Sequence, residues 1–99
     1  MKLEIQSIHF DADVKLLDYI ERKINKLETF YDGIIKGEVF LKLDKNEHKD
    51  NKVIEVKLHV NSTSLFVKEQ CRTFECAVDL AEGALRGQLI KYKEKVRAV

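Results

Sequence analysis

The sequence predicts an α+β domain of order β-α-β-β-β-α, a four-stranded mixed sheet with two helices packed on one face. Three observations predict it. Apolar and polar residues alternate at the start of the chain and through its middle, the period of half-buried strands. Two other stretches, one ending near Phe30 and one running almost to the end, repeat apolar residues at three- and four-residue intervals, the period of amphipathic helices. The 99 residues contain no proline and four glycines, so no linker divides them, and they suffice for a single core.

Taken in order, residues 2–8 place Leu3 and Ile5 on one side and Lys2, Glu4 and Gln6 on the other, a short strand. Asp11 and Asp13 are N-cap candidates for a helix to about Phe30, because a carboxylate there accepts the unpaired N–H groups of a first turn. Leu16, Leu17, Ile20, Ile24 and Leu27 form its apolar stripe, and Gly33 is a loop residue or helix stop. Residues 34–43 put Val39, Leu41 and Leu43 on one strand face, and residues 52–60 do the same with Ile54, Val56, Leu58 and Val60. The polar connection from Asp44 to Asn51 is expected to be a mobile hairpin loop. Asn61-Ser62-Thr63 turns into a strand at Leu65-Phe66-Val67-Lys68. Thr73 is the candidate N-cap of a second helix carrying Phe74, Ala77, Val78, Ala81, Leu85, Leu89, Tyr92 and Val96 as its stripe. A β-α-β opening sets the second strand parallel to the first by a right-handed crossover. The other sheet face, with Glu4, Gln6, Glu38, Phe40, Lys42, Glu55, Lys57, His59, Phe66 and Lys68, is expected to be solvated.

Charged residues are 35% and hydrophobic residues 44% of the chain, a composition that excludes a disordered tail and a membrane protein. No apolar run approaches the roughly 18 residues of a membrane span, and no signal segment follows Met1, so the expected location is the cytoplasm. Cys71 and Cys76 have no histidine at metal-ligand spacing; the expectation is two plain thiols and no metal or other cofactor. His9, His48 and His59 carry no signature tying them to a cysteine, and phosphate-loop, dinucleotide and paired-carboxylate motifs are missing. The reading is of a protein that is not an enzyme and has no small-molecule substrate.

The net charge of +1 excludes a polycation, yet the charges are segregated. On the first helix Lys15, Arg22 and Lys26 return to one direction with Lys23 and Tyr19 beside them, while Asp18, Glu21 and Glu28 fall on one flank. From Arg86 to Arg97 the second helix holds five bases, Arg86, Lys91, Lys93, Lys95 and Arg97, against the single acid Glu94. The helix dipole accounts for one or two cations in a last turn. Five over three turns, beside a basic ridge on the neighbouring helix, predict a continuous electropositive surface suited to phosphates. Gly83 and Gly87 fall on the outward side of this helix, at a cost of about 1 kcal/mol each relative to alanine. They fit either close approach by RNA or by a protein, with Ile90 as an apolar neighbour, or ordinary drift on a tolerant surface.

Three segments together resemble the ribosome hibernation-promoting factors, also called ribosome-associated inhibitor or sigma-54 modulation proteins. They are Arg22-Lys23-Ile24-Asn25-Lys26-Leu27-Glu28 with Phe30-Tyr31-Asp32, the strand Glu55-Val56-Lys57-Leu58-His59-Val60-Asn61, and Ala77-Val78-Asp79 leading to Gln88-Leu89-Ile90-Lys91-Tyr92-Lys93-Glu94-Lys95. The resemblance implies a fold akin to double-stranded-RNA-binding domains, its helix side on ribosomal RNA of the small ribosomal subunit, near the decoding region and in the messenger channel. Occupancy there blocks translation and protects idle ribosomes in stationary phase or stress without a catalytic group. Lys23, Lys26, Lys91 and Lys93 match the family's basic positions. Ala84 and Gly87 stand where many relatives carry Lys and Arg, with Arg86 a replacement for one, and Glu75 stands in place of a common aromatic. The expected rRNA-binding set is Lys15, Arg22, Lys23, Lys26, Arg86, Lys91, Lys93, Lys95 and Arg97. The chain looks like a short form of the family, one domain over 1–99, with any pairing of ribosomes left to a separate ribosome-dimerising factor. Two alternatives have other chemistry: a protein-interaction module docking through the sheet or the Gly83/Gly87/Ile90 surface, and a thiol enzyme using Cys71 or Cys76.

Overall fold

A computed structural model of the chain describes residues 1–45 and 50–97. The element order is β1 (Lys2–Ser7), α1 (Val14–Asn25), a 3-10 turn (Lys26–Thr29), β2 (Lys36–Leu43), β3 (Lys52–Val60), β4 (Thr63–Cys71) and α2 (Phe74–Arg97). The four strands lie in sequence order in one sheet, β1 parallel to β2 and the later pairs antiparallel. This is the α+β, β-α-β-β-β-α architecture that the periodicities predict.

The core lies between the sheet and the two helices. Ile20, Ile24 and Leu27 enter it from the first helical segment, Val39, Leu41, Ile54, Val56 and Leu58 from the sheet, and Val78, Leu85 and Leu89 from α2, all fully buried. At about 25 cal/mol per Å² of apolar surface removed from water, this layer is the main force holding helices to sheet. Phe10, between β1 and α1, stacks on Phe74 at the start of α2 with ring centroids 5.3 Å apart.

Several boundaries differ from expectation. The first helix does not run to Phe30: it ends at Asn25 and tightens into the 3-10 turn, where the Thr29 hydroxyl donates to the Lys26 carbonyl. Strand β4 extends from Thr63 to Cys71, well past Lys68, because β3 offers partners along the whole length, from Val60↔Thr63 to Lys52↔Cys71. Only Asn61 and Ser62 therefore form the turn, with Ser62 at a positive φ of 73°. Leu43 and Val96, expected in the core, are instead exposed, 45% and 49%. Leu43 lies beyond the last β1–β2 pair, Ser7↔Leu41. Val96 lies in the last turn of a 24-residue helix, which at about 1.5 Å per residue outruns a 9-residue strand of about 3.3 Å per residue. The Asp44 to Asn51 connection is closed at its base by a backbone hydrogen bond of 2.8 Å from Asp44 to Asn51. Its residues 46–49, His48 among them, lie outside the described residues.

Cys71 and Cys76 are joined in a disulfide, Cα atoms 6.0 Å apart, which corrects the expectation of two free thiols. The extended β4 brings Cys71 to the foot of α2. There Thr73 caps the helix by accepting the Cys76 backbone N–H at 3.0 Å, so both sulfurs face one tight corner.

Candidate nucleic-acid interface

Asp13 starts α1: its backbone is extended and its carboxylate accepts the Leu16 N–H at 2.8 Å. That cap fixes the phase of the helix, turning Ile20 and Ile24 inward and leaving Lys15, Arg22 and Lys26 exposed. Counting about 100° per residue, these three cations lie on the α2 side of the crest, while Glu21 lies on the far flank; Glu28, in the 3-10 turn, bonds the Met1 amino group. Lys23 departs from the expected ridge. Its side chain is 29% exposed, and its ammonium lies 3.2 Å from a carboxylate oxygen of Asp79 on α2. The Tyr19 hydroxyl donates to the same oxygen. The Arg22 guanidinium and Lys23 ammonium stand 5.4 and 5.9 Å from the Tyr19 ring centroid. The bond to Asp79 is the chief reason that the Tyr19 phenol is raised above its ordinary pKa, and it is also the chief reason that the Asp79 carboxyl is held below its own.

The two helices run in the same direction. Lys23 meets Asp79, Phe30 meets the later Arg86 with 5.7 Å from guanidinium to ring centroid, and Tyr31 meets Tyr92 edge-on at 5.5 Å. Lys93 and Arg97 lie on Arg86's side of α2 and, with Glu28, Phe30, Tyr31 and Asp32, line an open cavity beside the 3-10 turn. Lys95 points elsewhere, into a groove with Ser62, Thr63 and Tyr92 at the β3–β4 turn, where the Tyr92 hydroxyl donates to the Asn61 carbonyl at 2.7 Å. By the same angular count Lys91 shares the side of Lys95.

Between these flanks runs a crest of Leu80, Gly83, Gly87 and Ile90 with Glu94. A Cβ on either glycine would meet no atom within 4 Å, and Leu80 and Ile90 are 48% and 44% exposed. The expectation of one continuous positive surface along α2 is thereby corrected. Helical periodicity divides its five bases, and the larger cationic strip follows the seam between the helices: Lys15, Arg22, Lys23 and Lys26 from the first, Arg86, Lys93 and Arg97 from the second. Sequence reasoning placed Tyr19 beside this strip but missed Asp79 and the bond between them, since the two lie sixty residues apart in the chain and no local pattern joins them.

The sheet face is different. Lys36 lies 3.4 Å from Glu4 and 3.5 Å from Glu38, Lys42 bonds Glu55 at 2.7 Å, and His59 bonds Glu38 at 2.9 Å. The expected solvated mixture thus contains several ion pairs, with Lys57 and Lys68 in none of them, and the His59 bond is the main cause that holds Glu38 below the usual carboxylate range. On the helix layer, among the described residues, Lys15, Arg22, Lys26, Arg86, Lys91, Lys93, Lys95 and Arg97 lie within salt-bridge distance of no carboxylate. Among the same residues no group of histidine, cysteine and acid side chains has the geometry to hold a metal ion, and no helix is long and apolar enough to cross a membrane.

Fold and site together define a class: a two-layer α+β domain whose sheet face carries several ion pairs and whose helix seam, Lys23 apart, carries cations without a carboxylate partner among the described residues. Over residues 3–97 the chain matches the family described as sigma 54 modulation protein / S30EA ribosomal protein, and it belongs to that family. A ribosome hibernation promoting factor of Azotobacter vinelandii is 34% identical over 95 residues, which cover 96% of this chain and 85% of that protein. A ribosome hibernation promotion factor of Bacillus subtilis is 31% identical over 96 residues, covering 97% of this chain and 50% of the relative, so that this chain spans about half of its length. The solved structure of a ribosomal subunit interface protein from Coxiella burnetii has the same fold, with a TM-score of 0.84 at 19% identity over 95% of this chain and 99% of that one.

Proposed function

We propose that this chain binds the small ribosomal subunit through its helix layer, docks on ribosomal RNA near the decoding region and messenger channel, and blocks translation sterically while stabilising idle ribosomes. The observation that carries this reading is the group of eight cations on the helix side that, among the described residues, have no carboxylate within salt-bridge distance, whereas Lys36, Lys42 and His59 on the sheet face are each paired with an acid. A phosphate backbone favours such cations because their binding releases its condensed counterions, and among the described residues no other surface of the fold offers as many. The role needs no bond-making group, since occupancy alone excludes a messenger or tRNA. Membership of the family and the names of the relatives support the ribosome as partner.

Cosedimentation with purified small subunits tests it. The chain is expected in the ribosomal fraction at low salt, with log affinity falling linearly with log salt by about 0.7–0.9 for each phosphate neutralised. A chain that stays at the top of the gradient at low and high salt alike would overturn the reading.

The open crest of Gly83, Gly87 and Ile90 supports a second reading, a protein-docking surface. Its signature is a partner whose binding is insensitive to salt and to reversal of the seam cations.

A further inference from the structure

Asp79 is an acid in the middle of a cationic strip, and electrostatics alone would count it as a defect there. On the reading that this strip meets ribosomal RNA, an anion between Lys23, Arg22 and Arg86 repels phosphate and neutralises one of the cations. Its bonds tell otherwise. One oxygen of the carboxylate takes both the Tyr19 hydroxyl and the Lys23 ammonium, at 3.2 Å for the latter, and these are the polar bonds that join α1 to α2 across the seam among the described residues. The rest of the helix–helix interface is apolar packing and aromatic rings, to which a directional hydrogen bond adds a fixed distance and angle between the two helices. Arg22 and Lys23 both pack over the ring that the bond holds in place, so the direction of two cations depends on it.

We propose that Asp79 and Tyr19 form a positioning clamp that sets the spacing and register of the two helices, so that the cations of α1 and of α2 meet a rigid RNA surface together. Neither residue touches phosphate in this arrangement; they act through the cations they orient. Lys23 is accordingly a member of the clamp, and its charge is neutralised inside the protein.

The clamp and the simple electrostatic view differ in sign. If Asp79 is only a misplaced acid, Asp79→Ala tightens binding to small subunits and Tyr19→Phe changes nothing. If it is a clamp, each weakens binding by about fivefold, the scale of one partly exposed hydrogen bond to a charged group. The double variant should then lose no more than the worse single one, because the two changes break the same bond. The slope of log affinity against log salt should stay as in the unaltered chain, since every phosphate-facing cation is retained. Asp79→Asn keeps an oxygen able to accept from Tyr19 and should fall between the unaltered chain and Asp79→Ala. Affinities are to be read where circular dichroism shows every variant folded, because a merely stabilising role lowers the melting temperature without changing the affinity of folded protein. Should Asp79→Ala fail to fold, Tyr19→Phe, which removes a single oxygen, carries the test. Unchanged or tighter binding by Tyr19→Phe or Asp79→Ala overturns the clamp alone. Failure of the unaltered chain to bind small subunits overturns the ribosome reading, and the clamp with it.

Discussion

Asp79 and Glu38 show how one side chain on each layer couples the fold to protons. Both carboxyls are held below their ordinary pKa, Asp79 first by the Tyr19 hydroxyl and Glu38 first by His59. A carboxyl with a depressed folded pKa adds stability above its ordinary pKa and loses that stability as pH falls through the folded value. The melting temperature is therefore expected to hold as pH is lowered toward about 4 and to fall beneath it, with Asp79→Asn and Glu38→Gln each flattening the fall. Tyr19 has the opposite sign. Its raised pKa gives stability that is present below about pH 10 and lost as pH climbs through the folded value, so Tyr19→Phe should blunt the alkaline limb. Thermal melts across pH would check both limbs. At this scale the chain is legible where partners are neighbours. Asp13 and Thr73 are readable as caps because each acts on an N–H three residues on. The Tyr19–Asp79 bond is not, because only the parallel lie of the two helices brings those residues together. The disulfide escapes the sequence for a related reason: Thr73 places the helix start between the two cysteines, but a strand read only to Lys68 leaves Cys71 off the sheet that carries it to the foot of α2.

At the scale of elements, the helices and β3 are the most readable parts, since their buried faces repeat apolar residues, broken on α2 by Glu82. Ile54, Val56, Leu58 and Val60 alternate through β3 and are all buried. Strand β4 reads shorter than it is because it is an edge strand, paired only with β3, and its ends are polar: Thr63 and Ser64 at one, Glu69 and Gln70 at the other. Its length comes from ladder bonds, which leave no hydrophobic signature. The outward placement of Gly83 and Gly87 is legible, and it gives α2 an untaken margin of stability. Replacing either by alanine meets no atom within 4 Å and should raise the unfolding free energy by roughly 0.5–1 kcal/mol, measured by urea denaturation. Gly33 is the counterexample, since a Cβ there would lie 2.5 Å from the Tyr31 ring, which is itself packed on Tyr92. Gly33→Ala is expected to lower stability by about 1 kcal/mol or more in the same assay.

For the molecule as a whole, the near-zero net charge of the sequence conceals a local gathering of cations along the helix seam that, among the described residues, have no carboxylate within salt-bridge distance. Composition cannot show it. Angular counting comes close, because it identifies the basic face of α1 and the run of bases on α2. It errs in treating the α2 bases as one surface and in counting Lys23 as free, both of which depend on where the neighbouring helix lies. What remains is a domain with a partly ion-paired sheet face on one side and a cationic helix seam on the other, and its proposed function rests on the cations of that seam.

The most direct test compares two double charge reversals that change the net charge by the same amount. Arg86→Glu with Lys93→Glu alters the seam, whereas Lys57→Glu with Lys68→Glu alters the sheet face. Equilibrium binding to purified small ribosomal subunits is measured for both at several salt concentrations. The seam variant is expected to lose at least tenfold in affinity and to show a salt slope shallower by about 0.7–0.9 for each phosphate that is no longer neutralised, while the sheet variant stays close to the unaltered chain. Equal losses from the two variants, or a greater loss from the sheet variant, would contradict binding through the helix layer.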